Sequence, residues 1–337
     1  MATIHDVAQS AGVSPTTVSR YLNNRIELPA PTAARIDAAI AELDYRPNLL
    51  AKRLSTGRSE AIGLVTPEIG NPFFAELAAA VEDEAERHGY AVFMSSTRGD
   101  VSREIASLRR LADRHVDGLI LMTDHADDGT LRRLITSARQ VVLVDEDIPG
   151  VSVPRVFAEN ETGGYLATRH LIEHGHRSIA MITGAAGVMS VEERRSGFLR
   201  AMNEAGLTVP DRHLLLGSYS REFGRRATRA LLQSSPPTAI VAASDYIAVG
   251  VLQALRDAGL SVPGDMSLVG FDDMPFAELI DPALTTIRQP IAAMGRLGFQ
   301  ALLALIDGQS TPQTTRLPVE LIVRRSVAPP RTKRLRS

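Results

Sequence analysis

The chain contains no cysteine. Disulfides, thiolate metal sites and a cysteine nucleophile are thereby excluded, and the composition fits a cytoplasmic protein. No apolar run approaches the ~18 residues of a membrane span, and the first residues lack the charged-then-apolar pattern of a secretory signal. A strong charge of either sign is also missing, since the formal net charge is −2. The common catalytic signatures are absent as well: no GxGxxG after a strand, no GxxxxGK followed by Ser or Thr, no GxSxG and no HExxH. Catalysis is therefore not expected, and neither is a cofactor. Three histidines, His170, His174 and His176 in "RHLIEHGHRS", come nearest to a metal site. The first two share a helical face, but no fourth ligand accompanies them, so a polar helix end is the better reading and no metal is expected.

What is present has the texture of a globular protein of two or three domains: 337 residues, 44% hydrophobic and 23% charged. The stretch "HDVAQSAGVSPTTVSRYLNN" reads as two short helices around a tight turn. Thr3 and Asp6 have capping-box spacing, and Ile4, Val7, Ala8 and Ala11 fall on one face. Gly12 suits the left-handed end of the first helix, Ser14 offers an N-cap oxygen, and Pro15 fits the first helical position. Val18 and Leu22 point inward. Thr16, Thr17, Ser19, Arg20 and Asn23 remain as a polar surface of donors and acceptors, which suits the major groove of DNA. The same pattern also suits an exposed helical hairpin. A third helix follows in "TAARIDAAIAELDY", with Ile36, Ile40 and Leu43 inward.

The small net charge hides a local patch. "RPNLLAKRLSTGR" places Arg46, Lys52, Arg53 and Arg58 together with no acidic residue. As a charge run it suits a solvated linker, yet Leu49, Leu50 and Leu54 interleave it. A short helix of this kind can neutralise phosphates and wedge a minor-groove base step.

From Ala61 the chain alternates short apolar runs with amphipathic stretches. "AIGLVT", "YAVFMSS", "VDGLILMT" and "QVVLVD" read as strands separated by helices. A second series follows, with strands "SIAMITG", "HLLLGS", "TAIVAAS" and "MSLVGF". Two β/α series predict two doubly wound parallel sheets with helices on both faces. The helix "IAAMGRLGFQALLALIDG" and the strand "TTRLPVELIVRR" complete them. Ligands of such sheets sit beyond the carboxyl ends of the strands. Asp145 follows "VVLV", Asp245 follows "IVAAS", and Asp272 and Asp273 follow "LVGF". Each has the position of a helix N-cap, but together they form a set of acceptors for the hydroxyls of a sugar or polyol. The acidic "DEDIPG" from Asp145 to Gly150 reads equally as a surface turn.

With these segments in order, the chain resembles the lactose/galactose-repressor family of bacterial transcription regulators. The resemblance starts at "TIHDVAQSAGVSPTTVSRYLNN", continues through "ELDYRPNLLAKRLSTGRSEAIGLVTPEIGNPFFAEL", and takes in "ERRSGF", "SDYIAVG", "VPGDMSLVGFDD" and "PALTTIRQP". It covers residues 2–327. It implies an all-α helix-turn-helix head at residues 1–46 and a hinge helix and linker at 47–60. It also implies an α/β body similar to type I periplasmic sugar-binding proteins. The first lobe would hold 61–160 and 288–318, the second 161–287 and 319–328, with a disordered basic tail at 329–337.

The DNA-contacting set implied is Thr3, Ser14, Pro15, Thr16, Thr17, Ser19, Arg20 and Asn23 in the head. In the hinge "NLLAKRL" it is Asn48, Ala51, Lys52 and Leu54, with Leu54 as the minor-groove wedge and the hinge helical only on DNA. The effector-binding set implied is Phe73, Phe74, Ser190, Arg194 and Tyr219, joining Asp145, Asp245 and Asp272. Core packing is the alternative for Phe73 and Phe74. The partners implied are a pseudo-palindromic operator, a sugar, polyol or sugar acid, and a second copy of the chain; no membrane is implied. The tail shows no heptads, so a homodimer is expected rather than a tetramer.

Departures from the family pattern concern the effector. Ser244 stands where many relatives have Asn, and Glu159-Asn160 stands where Asp-Asn is common. The pair Arg194 and Arg195 leaves room for a sugar acid, with a solvent-facing Arg195 as the alternative. A transport solute-binding protein shares the two-lobed body, but the head and the missing signal argue against it. An enzyme on a Rossmann-like scaffold is disfavoured by the missing phosphate loop.

Overall fold

The computed structural model describes residues 2–22, 26–45 and 57–331. Contacts divide the chain into two units, Met1–Ser59 and Glu60–Ser337. In the first, α1 (Ile4–Ala11), α2 (Pro15–Leu22) and α3 (Ala30–Glu42) surround a core of Val7, Ala8, Ala11, Val18, Ile36 and Ala39. The start and stop of α1 are chemical. Thr3 and Asp6 close a reciprocal capping box, and Gly12 ends the helix at φ 65, a conformation that a side chain disfavours. Ser14 Oγ accepts from the backbone N–H of Thr17 at 3.1 Å to open α2. The Tyr21 hydroxyl donates to Asp37 at 3.0 Å, tying α2 to α3.

The second unit begins with β1 (Ala61–Thr66), α4 (Pro72–Arg87), β2 (Ala91–Ser96), α5 (Val101–Ala112) and β3 (Gly118–Leu121). It continues with α6 (Thr130–Ser137), β4 (Val141–Val144) and β5 (Arg155–Ala158). The second series is α7 (Asn160–Glu173), β6 (Ile179–Thr183), α8 (Met189–Glu204), β7 (Leu214–Leu216), α9 (Arg221–Gln233), β8 (Ala239–Ala242), α10 (Asp245–Asp257), β9 (Ser267–Asp272) and β10 (Thr285–Arg288). The chain closes with α11 (Ile291–Ile306), β11 (Thr314–Leu317) and β12 (Glu320–Ile322).

One sheet has the order β11-β5-β4-β3-β1-β2, all parallel; the other is β12-β10-β9-β8-β6-β7, parallel except where β12 meets β10. The inner strands are buried along their whole length and carry continuous apolar runs, because helices cover both faces. Each sheet accordingly has a hydrophobic cluster on either side. The chain passes between the sheets three times, after β5, after β10 and between β11 and β12.

Three details differ from the sequence reading. β5 and β10 are strands that the pattern did not reveal: "RVFA" and "TTIR" are four residues each and lack a long apolar run. "TTRLPVELIVRR" is not one strand, because Pro318 has no N–H to pair and the chain changes sheets there. The tail expected to be disordered from residue 329 is held as far as Arg331, whose guanidinium pairs with Asp265 at 2.5 Å. Residues 332–337 lie outside the described residues. Among the described residues no helix is long and apolar enough to cross a membrane.

Helices α7 and α8 meet backbone to backbone. A Cβ at Gly164 would lie 2.2 Å from the Arg194 carbonyl oxygen, and one at Gly197 would lie 2.0 Å from that of Glu161. The contact sets Asn160 and Arg194 side by side. Gly164→Ala is therefore expected to cost about 3 kcal/mol by overpacking. In a thermal melt this corresponds to a Tm lowered by about 6–10 °C. A melt unchanged within 2 °C, on the order of 0.5–1 kcal/mol, would show that the two helices can separate freely.

Candidate functional site

Thr16 and Arg20 are exposed and lie four residues apart on α2, so both project from one face of the head. Ser14 and Thr17 are bonded to each other through their hydroxyls at 2.8 Å, and Thr3 is engaged in its capping box. Pro15 and Ser19 are partly buried. Asn23, Asn48, Ala51, Lys52 and Leu54 lie outside the described residues, as do Arg46 and Arg53.

In the body, a cavity of about 460 Å³ opens between the two sheets at the carboxyl ends of their strands. The first lobe lines it with Phe73, Phe74, Asn71, Arg98, Asp124 and Asp145; the second with Ser190, Arg194, Tyr219, Ser244, Tyr246 and Asp272, and Gln289 closes the crossing after β10. Asn71 accepts from the Phe73 N–H at 3.1 Å and so starts α4 at the cavity wall. The Phe73 and Phe74 rings meet edge to face with centroids 5.1 Å apart. Phe73 belongs to the core as well, whereas Phe74 is half-buried.

Arg194 is the organising cation. Its Nε donates to Asn160 Oδ1 at 2.8 Å and its Nη1 to the Ala243 carbonyl at 2.6 Å. The guanidinium lies over the Phe271 ring, 3.8 Å from the centroid, and 3.9 Å from Asp272 Oδ1. Asp272 also accepts from Gln289 Nε2 at 2.8 Å. Both Asp145 (φ 71) and Asp272 (φ 113) hold left-handed backbone where their strands end, a costly geometry outside glycine.

Burial dominates the electrostatics. It raises Asp145, lifts Asp272 to about 7 and Tyr219 to about 12, with Arg194 opposing the shift in each case. Glu146, beside Asp145, is driven to about 8 by burial and by its acidic neighbour. Its carboxylate crosses to the second lobe, where Ser190 donates to it from both backbone N–H and hydroxyl. A second bridge between the lobes joins Arg316 on β11 to Glu193 on α8 at 2.6 and 2.9 Å.

Several sequence expectations need correction. Asp245 does not line the cavity. It starts α10 with its carboxylate turned back into the second sheet, accepting from Met274 N–H at 2.8 Å and Thr286 Oγ1 at 2.7 Å. It supports the turn after Asp272, and its neighbours Ser244 and Tyr246 take the lining positions. Asp273 is likewise neutralised within its lobe by Arg288 and Arg324, both at 2.7 Å. "DEDIPG" is not simply a surface turn, since Asp145 and Glu146 are buried. Arg195 points away from the cavity and pairs with Glu192 at 2.7 Å. His176, the third histidine of "RHLIEHGHRS", is buried and bridges Thr238 and the Ala328 carbonyl, each at 2.9 Å. Gln289, Asn71, Glu146 and Tyr246 were not singled out, although Gln289 follows β10, Glu146 and Tyr246 adjoin Asp145 and Asp245, and Asn71 opens the helix that carries Phe73.

Comparison with known proteins places two matches on this chain: bacterial regulatory proteins of the lacI family over residues 3–48, and the periplasmic binding protein-like domain over residues 168–327. The HTH-type transcriptional regulator DegA of Bacillus subtilis is 35% identical over 331 residues, covering 97% of this chain and 98% of that protein. The HTH-type transcriptional repressor PurR of Proteus mirabilis is 37% identical over 333 residues, 97% of each chain. Among solved structures, the lac repressor dimer bound to operator and the anti-inducer ONPF matches with a TM-score of 0.86 at 29% identity, covering 97% of this chain and 99% of that one. The regulator CelR in complex with cellobiose matches with a TM-score of 0.74 at 32% identity, covering 97% and 100%.

Proposed function

This chain belongs to the lacI family of bacterial regulatory proteins, and from that premise we propose that it is a cytoplasmic repressor without enzymatic activity. As a homodimer it would hold a pseudo-palindromic operator and answer to a small hydroxylated effector bound in the cleft of its body. The observation that carries this reading is the junction of a helix-turn-helix head to a body whose cleft is lined from both lobes. Arg20 and Thr16 would meet base edges, and the basic hinge around Lys52 would neutralise phosphates. Phe93 on edge strand β2 is 56% exposed and Leu279 is 78% exposed in the single chain, apolar surface that suits a second copy. Coupling would run through α8, whose first two turns are held from the first lobe by Glu146 and Arg316. An effector shifts operator affinity only by its differential affinity for the two states, typically ~1–3 kcal/mol.

Selection from a random DNA library with the full-length protein tests the reading. A palindrome with a central pyrimidine–purine step is expected to emerge. Arg20→Ala is expected to cost about 1–3 kcal/mol on that site and to relax base preference, while Lys52→Ala weakens all sequences alike. Unchanged preference in Arg20→Ala would remove α2 as the reading helix. No enrichment, with or without pooled metabolites, would leave a solute-binding protein without a DNA role.

A further inference from the structure

We propose that the effector is cationic: an amine carried on a hydroxylated frame, such as an amino sugar, rather than a neutral sugar or a sugar acid. This rests on the cleft being the effector site. Carboxyl groups outnumber guanidinium groups on the cavity wall. Asp145, Glu146 and Asp272 are 9%, 3% and 7% exposed, and they meet around one buried guanidinium, that of Arg194. Two nitrogens of Arg194 are already committed to Asn160 and Ala243.

Five nearby cations outside the lining are committed elsewhere. Arg288 and Arg324 neutralise Asp273, Arg316 pairs with Glu193, and Arg195 with Glu192. His125, raised to about 9 by Glu104, is bonded to that carboxylate at 3.0 Å. A second guanidinium, Arg98, lines the cavity together with Glu68 and Asp124, so acids still outnumber cations on its wall.

The unpartnered groups point the same way. Asp145 Oδ1 and Gln289 Oε1 are buried, line the cavity and have no hydrogen-bond partner among the described residues. Gln289 Oε1 can only accept, as can Asp145 once ionised, so they call for donors on the guest, which an ionised acid group does not supply. An anion's natural place, the N-terminal turn of α8, is filled by Glu146 through both donors of Ser190. Burial pushes all three carboxyls upward, Glu146 to about 8 and Asp272 to about 7, so these two hold protons near neutral pH that an ammonium would replace. The Phe74 and Tyr219 rings offer faces on which the apolar side of such a frame, or its cationic end, can rest.

The test uses the full-length protein and a small-molecule extract of the bacterium that carries the gene, sorted by ion exchange at pH 7 into cationic, neutral and anionic pools. The cationic pool is expected to raise the melting temperature by several degrees. The compound purified from it is expected to bind Asp145→Asn at least tenfold more weakly than the wild type. Stabilisation by the neutral or anionic pool alone overturns the charge assignment and leaves the effector reading standing. Stabilisation by no pool overturns both.

Discussion

Arg194→Met is expected to lower the unfolding free energy by about 3–5 kcal/mol and to abolish the response to effector. The size follows from what is left behind. Asn160, with no exposed surface, would lose the partner of its Oδ1, and the Ala243 carbonyl would lose its donor. Asp272 and Asp145 would lose the only guanidinium that opposes their burial among the described residues. A methionine fills much of the same volume and can still pack on Phe271, so the loss reports charge and hydrogen bonds rather than a cavity. Arg195→Met is the internal control. Its ion pair with Glu192 is partly exposed on the far side of α8, and it is expected to change stability by no more than about 0.5 kcal/mol. Urea unfolding of the two variants decides the matter: equal midpoints would mean that the cleft does not depend on its buried cation.

That contrast also shows where sequence reasoning reaches and where it stops. The head was legible because its determinants are local: Thr3 and Asp6 in a capping box, Gly12 at the helix end, Ser14 and Pro15 at the next start. The alternating texture of the body was legible because the inner strands are buried on both faces and read as apolar runs. The positions at strand ends were legible too, but not the direction of their side chains. Asp145, Asp245 and Asp272 occupy equivalent places in the pattern, yet Asp245 is drawn into the sheet by Thr286 and Met274, contacts more than 25 residues distant. Gly270 has no side chain, and a Cβ there would lie 2.1 Å from Asp245 Oδ1, so the inward turn of that carboxylate depends on a residue elsewhere in the chain. Arg194 and Arg195 were likewise indistinguishable as a pair, because one residue of helical rotation separates a buried cation from a half-exposed one.

Glu146→Gln is expected to reverse part of the protein's dependence on pH. Burial and Asp145 raise this carboxyl from 4.5 to about 8 in the folded chain, so the folded state holds the proton more tightly than the unfolded state. Stability from this group is therefore complete below its ordinary range near pH 4.5 and declines as pH rises through about 8. A tenfold difference in proton affinity between the two states is worth about 1.4 kcal/mol, so a rise from 4.5 to about 8 makes the loss at pH 8.5 on the order of 3–5 kcal/mol. Glutamine keeps an oxygen to accept from Ser190 and has no proton to lose. The variant is expected to melt near the wild type at pH 5 and about 5–10 °C above it at pH 8.5. A residual slope should remain, since Asp272, raised to about 7, still titrates. A temperature difference that does not change between pH 5 and pH 8.5 would mean that Glu146 is ionised throughout, held by the α8 N-terminus strongly enough to overcome its burial. In that case the bridge between the lobes is a permanent anion. If the expected reversal is found, the same bridge is a protonated carboxyl below about pH 8, and a cationic guest that ionises it would exchange the proton for its own charge. Closure of the two lobes, the occupancy of the cleft and the protonation of Glu146 would then be a single coupled equilibrium.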